Sequence, residues 1–220
     1  MTDAKAGAAS PDAPRGALQG KYHLVGIGGA GMSVVAELLA ASGAEVSGSD
    51  SKESQTTRRL AAEGISVSIG HDARHVPADA VLVVSSAIRE SNPELAAARE
   101  RSQKVLHRSQ ALALAARGRD FVAVAGAHGK TTTSAMIATA LREAGLDPSW
   151  AIGGSVVGAG GGSHLGGGRA FVAEADESDA SFLNYEPLVE VVTNVEPDHL
   201  DHYGSTEAFE EAFAQFARLL

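Results

Sequence analysis

Cysteine is missing from the 220-residue sequence. Its absence excludes a disulfide framework, a thiol nucleophile and a cysteine-ligated zinc site, and it fits a reducing compartment. Positive charge is scarce as well: 18 Lys and Arg stand against 27 Asp and Glu, for a formal net charge of −9. No basic run is long enough to follow a phosphate backbone, so nucleic acid is not an expected partner, and the acidic balance argues against anionic membranes. No stretch reaches the ~18 unbroken apolar residues that a membrane-spanning helix needs. Residues 1–20 are rich in Ala, Pro, Gly and Ser and lack the apolar core of a signal peptide. A disordered tail is expected there, and a cytoplasmic location for the protein.

The composition is 44% hydrophobic, enough for one large core or two smaller ones. From Tyr22 onward short apolar runs alternate with amphipathic ones. Strands are predicted at 22–27, 45–49, 66–69, 80–85 and 104–106, with helices near 32–42, 54–63, 93–102 and 109–117. In the first helix Val35, Leu38 and Leu39 share a face. Asn92-Pro93-Glu94 is a helix start with proline at the first helical position. Strands alternating with helices predict an α/β fold with a Rossmann-like, doubly wound parallel sheet. A second unit begins near Asp120, after Arg117-Gly118-Arg119. Its first helix puts Met136, Ile137, Ala140, Leu141 and Ala144 on one face. A glycine-dense loop at 153–168 follows, then strands at 170–174 and 189–195. A helix over 206–220 carries Phe209, Phe213 and Phe216 on one stripe. So few strands would leave this second sheet with an open edge. The chain is therefore expected to be the N-terminal part of a longer protein.

The strongest local signal is the run from Val122 to Thr133. An apolar strand feeds Gly126-Ala127-His128-Gly129, then Lys130 and three hydroxyls that open a helix. Such a strand, loop and helix leave backbone N–H groups free to cradle phosphate oxygens. Lys130 would reach the outer phosphates and Thr131 would offer its hydroxyl to Mg²⁺. The full G-x-x-x-x-G-K-[ST] spacing requires glycine at 124, where this chain has Val124, so the loop is a shorter variant. It reads as an ATP site formed by Gly126, Ala127, His128, Gly129, Lys130, Thr131 and Thr132.

A second glycine loop, Gly26-Ile27-Gly28-Gly29-Ala30-Gly31, follows the first strand, and Asp50 ends the next. Glycines there let backbone approach a diphosphate, and the carboxylate can bond ribose hydroxyls. The motif reads diphosphate plus ribose, which either NAD or a nucleotide-sugar supplies. Ser85 and Ser86 lie just past the fourth strand, where ligand contact and turn chemistry are both open readings. His71, after a strand end, reads as a surface residue or a ligand contact. Acidic residues bunch at two strand ends, in Glu174-Ala175-Asp176-Glu177-Ser178-Asp179 and in Asn194-Val195-Glu196-Pro197-Asp198-His199. Beside a phosphate loop, such carboxylates suit Mg²⁺–nucleotide chemistry.

Taken together, G-A-H-G-K-T-T-T, E-A-D-E-S-D-A-S-F-L and T-N-V-E-P-D-H-L-D-H-Y resemble the Mur ligase family. G-I-G-G-A-G-M-S, G-S-D at 48–50 and S-S-A-I at 85–88 are similar to its first domain. The resemblance covers about residues 21–220. It implies a UDP-sugar domain at 21–118, a central ATP-binding domain at 119–220 that is incomplete here, and a C-terminal domain that is absent. It further implies an ADP-forming ligase, with ATP and Mg²⁺, that joins L-alanine to the carboxylate of UDP-N-acetylmuramate through an acyl phosphate in peptidoglycan precursor synthesis. On that reading Gly26, Gly28, Gly29, Gly31, Asp50, His71, Ser85 and Ser86 hold the UDP-sugar. Lys130, Glu174 and His199 are catalytic, and Thr131, Glu174 and His199 hold metal, with Asn194 and Asp198 as weaker supports. Ala127 departs from the family loop, which carries threonine there. The rival readings are a sister ligase that attaches a preformed peptide, and a nicotinamide-dependent dehydrogenase, which leaves the phosphate loop and acidic motif unexplained.

Overall fold

A computed structural model describes residues 18–156, 158 and 161–220. The expected N-terminal tail lies almost wholly outside the described residues. The first half alternates strand and helix: β1 (Lys21–Val25), α1 (Ala30–Ala41), β2 (Glu45–Asp50), α2 (Gln55–Ala62), β3 (Ser66–Ile69), β4 (Ala80–Val84), α3 (Pro93–Glu100), β5 (Val105–His107) and α4 (Arg108–Ala115). The strands form a parallel sheet in the order β3-β2-β1-β4-β5. The chain runs outward from β1 to one edge, then crosses back to the other side. That reversal opens a crevice beyond the carboxyl ends of β1 and β4, where ligands of open α/β sheets bind.

The expected face of α1 is buried: Val35, Leu38 and Leu39 meet Leu24, Ile27 and Leu60 in the core. Fully burying each such side chain contributes about 1.5–3 kcal/mol. Gly48 is dictated by close approach, since a Cβ there would overlap the Leu24 carbonyl and the Ile27 side chain. Asn92 caps α3, its Oδ1 accepting from the N–H groups of Glu94 (2.9 Å) and Leu95 (3.3 Å), with Pro93 at the first helical position.

The second half comprises β6 (Asp120–Ala125), α5 (Lys130–Glu143), β7 (Ser149–Ala151), β8 (Ser163–His164), β9 (Ala170–Glu174), β10 (Val189–Val192), α6 (Leu200–Tyr203) and α7 (Thr206–Phe216). Its sheet runs β10-β6-β9-β7-β8, parallel except for the β7–β8 pair. Strands β7 and β8 went unread in the sequence: they are three and two residues long, the first just before the glycine-dense segment and the second within it. The aromatic stripe of α7 is buried, with Phe182 stacked on Phe216 at 4.9 Å and edge-on to Phe213 at 5.3 Å. The predicted strand at 189–195 ends instead at Val192, and the helix expected to reach 220 ends at Phe216.

The face expected for α5 is buried only in part, at Ile137 and Leu141. Met136 is 65% exposed, and Ala140 and Ala144 also face outward. The buried line runs through Ser134 and Ala138, flanked by Ile137 and Leu141. The helix lies close on the sheet, packing against Val124, Trp150 and Val172, and its closest positions are the small residues.

Glu94, in the first turn of α3, ties the first sheet to the segment after β3. Fully buried, it accepts hydrogen bonds from Ser49 Oγ (2.5 Å) and the Asp72 N–H (3.2 Å). His23, His71 and His75 surround it at 3.7, 3.5 and 3.3 Å. Burial pushes its pKa up, but the bonds from His23, Ser49 and the Asp72 N–H outweigh burial and bring it from 4.5 to about 2. A depressed carboxylate contributes stability that is complete above the unfolded pKa and is lost as pH falls through the folded one. Glu94→Gln is therefore expected to destabilise at pH 7, with the deficit shrinking between pH 4.5 and 2. Urea titrations of both proteins across that range check this. A deficit independent of pH would contradict it.

Candidate active site

The phosphate loop is held from two sides. Gly126 has φ 133°, and a Cβ there would overlap Thr193 Oγ1, just beyond β10. Gly129, at φ 84°, is the N-cap of α5. Thr193 Oγ1 and Asn194 Nδ2 both donate to the His128 carbonyl, at 2.6 and 2.9 Å, while the His128 N–H donates to Asn194 Oδ1 at 3.2 Å. Asn194, read as a weak metal-site support, thus clamps the loop. Ala127 removes none of these contacts.

Lys130 bends back over the loop. Its Nζ donates to the Gly126 carbonyl at 2.6 Å and lies 2.9 Å from both carboxylate oxygens of Glu177, which is 1% exposed. His199, the N-cap of α6 at φ 51°, stands on the same carboxylate with Nε2 at 4.0 Å. The Tyr203 hydroxyl donates to the Glu177 carbonyl and fixes its backbone. Glu177 therefore joins two of the sequence-predicted catalytic residues, yet the sequence reading passed over it. The available signal was its place in an acidic run at a strand end, where Glu174 alone was singled out.

Glu174, at the carboxyl end of β9, accepts from the Gly153 N–H at 2.8 Å. Thr131 faces the same segment, its methyl group filling the space where Gly154 would carry a Cβ. A cavity of about 180 Å³ is lined by Gly31, Arg108, Lys130, Gly153, Glu174 and Asp176 among others. The phosphate-loop lysine, the strand-end carboxylate and the last glycine of the first loop thus share one space. A larger cavity of about 340 Å³ lies at the linker beside Arg117, Phe121 and Tyr185, and neither glycine loop lines it.

In the first loop Gly26 has φ 76°, and the Gly28 N–H donates to Asp50 Oδ2 at 2.9 Å. Asp50 accordingly sits against the glycines. His71 reaches the base of the same loop through Ser49: its Nδ1 is 3.0 Å from Ser49 Oγ, and the Ser49 carbonyl accepts from the N–H groups of Gly26 and Ile27. It is partly buried rather than a surface residue. Ser85 starts a turn closed by the Ile88 N–H, and Ser86 reaches across to Asp179. Burial opposes ionisation of Asp179, but bonds from His107, Ser181 and Ser86 hold its pKa well below the usual carboxylate range. Asp176 is likewise depressed: burial raises it, and bonds from Ser178 together with the Arg108 charge lower it further.

Among the described residues no group of three or more His, Cys, Asp or Glu is gathered closely enough to hold a metal ion. Mg²⁺ is usually held by one or two carboxylates, with phosphate oxygens and waters completing its shell. The Thr131 hydroxyl and the Glu174 carboxylate, flanking one segment, fit that donor set. His199 stands instead on the Glu177 side.

Two family descriptions match: "Mur ligase family, catalytic domain" over residues 21–120, and "Mur ligase middle domain" over 124–220. A solved UDP-N-acetylmuramate:L-alanyl-gamma-D-glutamyl-meso-diaminopimelate ligase from Neisseria meningitides superposes with a TM-score of 0.86 at 30% identity, over 92% of this chain and 69% of that one. The chain belongs to the Mur ligase family. A UDP-N-acetylmuramate-alanine ligase from Thermotoga maritima gives a TM-score of 0.82 at 32% identity, over 90% of this chain and 47% of that one. Among curated Mur ligases, UDP-N-acetylmuramate--L-alanine ligases from Kineococcus radiotolerans and Renibacterium salmoninarum are 60% and 57% identical, over 90% and 91% of this chain. The chain spans 42% and 43% of their respective lengths. No helix among the described residues is long and apolar enough to cross a membrane.

The buried Lys130–Glu177 pair generates a stability prediction. Breaking a buried pair by removing one partner costs about 3–5 kcal/mol, whereas removing both costs less. Glu177→Gln should destabilise more than the Lys130→Met/Glu177→Gln double variant, as read by urea unfolding. Additive losses would show that the two groups are not coupled.

Proposed function

We propose that this chain supplies the UDP-sugar site and the phosphate-transfer half of an ATP-dependent ligase that joins L-alanine to the carboxylate of UDP-N-acetylmuramate. One observation carries the reading: Gly31, the last glycine of the first loop, lines one cavity with Lys130, which follows the second loop, and with Glu174. Residues 21–118 form the UDP-sugar domain and 119–220 belong to the ATP-binding domain. The relatives of highest identity quoted above carry the L-alanine-adding name, which favours that reaction over addition of a preformed peptide. The substrates and the reaction place the protein in the cytoplasm.

In this assignment Gly26, Gly28, Gly29 and Gly31 receive the diphosphate, with Asp50 beside the ribose or uracil and His71, Ser85 and Ser86 bordering the sugar nucleotide. Gly126, Ala127, His128, Gly129 and Thr132 cradle ATP. Lys130 leaves the Gly126 carbonyl to meet the β- and γ-phosphates. Thr131 and Glu174 would hold Mg²⁺, which would supply charge neutralisation for the transferring phosphoryl group. His199, close to Glu177, would hold a second Mg²⁺ on the carboxylate side, which would add charge neutralisation there. A carboxylate is a poor electrophile until phosphorylated, so the muramate oxygen attacks the γ-phosphorus and ADP leaves. The L-alanine amine then adds to the acyl carbon and phosphate departs. The protein's contribution is placement and charge neutralisation in a partly closed space.

In a complete ligase carrying this chain, Lys130→Ala should lower turnover at least about a hundredfold while UDP-N-acetylmuramate affinity stays nearly constant. Phosphate release should require L-alanine, and calorimetry supplies the affinity. An equal loss of UDP-sugar affinity would contradict the two-site assignment, and release driven only by a peptide would favour the sister reaction.

A further inference from the structure

Arg108 belongs to no motif, yet it stands at the junction of everything proposed above. It is the first residue of α4, and its guanidinium lies directly over Gly31, so closely that a Cβ on Gly31 would overlap Nη1. Its Nη2 donates to Asp176 Oδ2 at 2.9 Å, across from the first sheet to the acidic loop of the second. Both residues line the cavity shared with Lys130 and Glu174. Arg108 is thus held beside the glycine loop by a carboxylate of the other unit. The sequence neighbour of Asp176, Glu177, holds the other cation of the cleft, Lys130.

A guanidinium placed over the last glycine of a diphosphate loop suits a phosphate oxygen, which it can meet with two parallel N–H donors. Asp176 occupies one of its donors. Resting on the UDP-sugar reading, we propose that the sugar nucleotide's diphosphate and Asp176 compete for Arg108, so that filling the first site releases the acidic loop that follows Glu174 and bears Glu177. Arg108 then acts as a positioning residue that couples the two nucleotide sites. Coupling of this kind requires that the ligand interact differently with the paired and released states, and the exchanged ion pair supplies that difference.

The two partners should therefore respond in opposite directions. Titrating the chain with UDP-N-acetylmuramate by calorimetry, Arg108→Ala should weaken binding about tenfold or more, the usual scale for losing a charge-assisted hydrogen bond. Arg108→Lys should lose less. Asp176→Asn, which removes the competitor and keeps the side chain's shape, should tighten binding severalfold. A bridge that only holds the two units together would make Asp176→Asn weaken binding or leave it unchanged, and either result overturns the proposal. Thermal unfolding of each variant shows whether it has folded. The lysine and asparagine substitutions test the competition even where alanine is not tolerated. Failure of the unaltered chain to bind UDP-N-acetylmuramate would instead overturn the functional reading itself, and this proposal with it.

Discussion

A carboxylate sealed between a lysine and a histidine sets the geometry of this cleft. Glu177 is almost completely buried, with Lys130 against both of its oxygens and His199 at its edge. A charge in that position is strongly unfavourable unless compensated. The phosphate-loop lysine is the compensation, so the loop, the acidic segment and the start of α6 are obliged to converge. Tyr203 adds to the constraint by fixing the Glu177 backbone. Burial first, with carboxylates nearby, raises the Tyr203 pKa to about 12, so its hydroxyl remains a donor at neutral pH.

The remaining architecture brings the first unit to that point. Parallel strands send their carboxyl ends, and hence their loops, to one edge of each sheet. Helix α4 links the sheets and its first turn faces the second unit: His107 lies 3.4 Å from Asp179, Arg108 bonds Asp176, and the Ser109 hydroxyl accepts from Asn184 Nδ2 at 2.7 Å. On the opposite flank Ser163, in β8, donates to Glu37 of α1, which also pairs with Arg59 of α2. One apolar cluster runs through both sheets, from Leu24 and Leu39 to Phe171 and Phe216. Gly31 and Lys130 are consequently held by contacts on both sides of the cavity they share.

Much of this was legible in the sequence because the physics is local. Glycines at 26, 126 and 129 adopt the positive φ that their loops require, and Asn92-Pro93 caps α3 as read. Short apolar runs and helical patterns located β1–β5 and α1–α4 to within a few residues. The failures come from long-range effects. Strands β7 and β8 are too short to show a period, and they exist because β9 and the first unit cover them. On helix α5 the sequence reading holds for Ile137 and Leu141 but not for Met136, Ala140 and Ala144, because the closest positions on the sheet are the small Ser134 and Ala138, which hydrophobicity does not reveal. Glu177 and Arg108 matter for the partners they find at positions 47 and 68 residues away, respectively, and no spacing rule announces that.

The central claim is that the two glycine loops serve different nucleotides, the first a UDP-sugar and the second ATP. The most direct test is to titrate the chain by calorimetry with UDP-N-acetylmuramate and, separately, with NADH. The account predicts saturable heat with the UDP-sugar and none with NADH. Binding of NADH without the UDP-sugar would contradict it, because the first loop would then be a dinucleotide site and the ligase reading would lose its substrate.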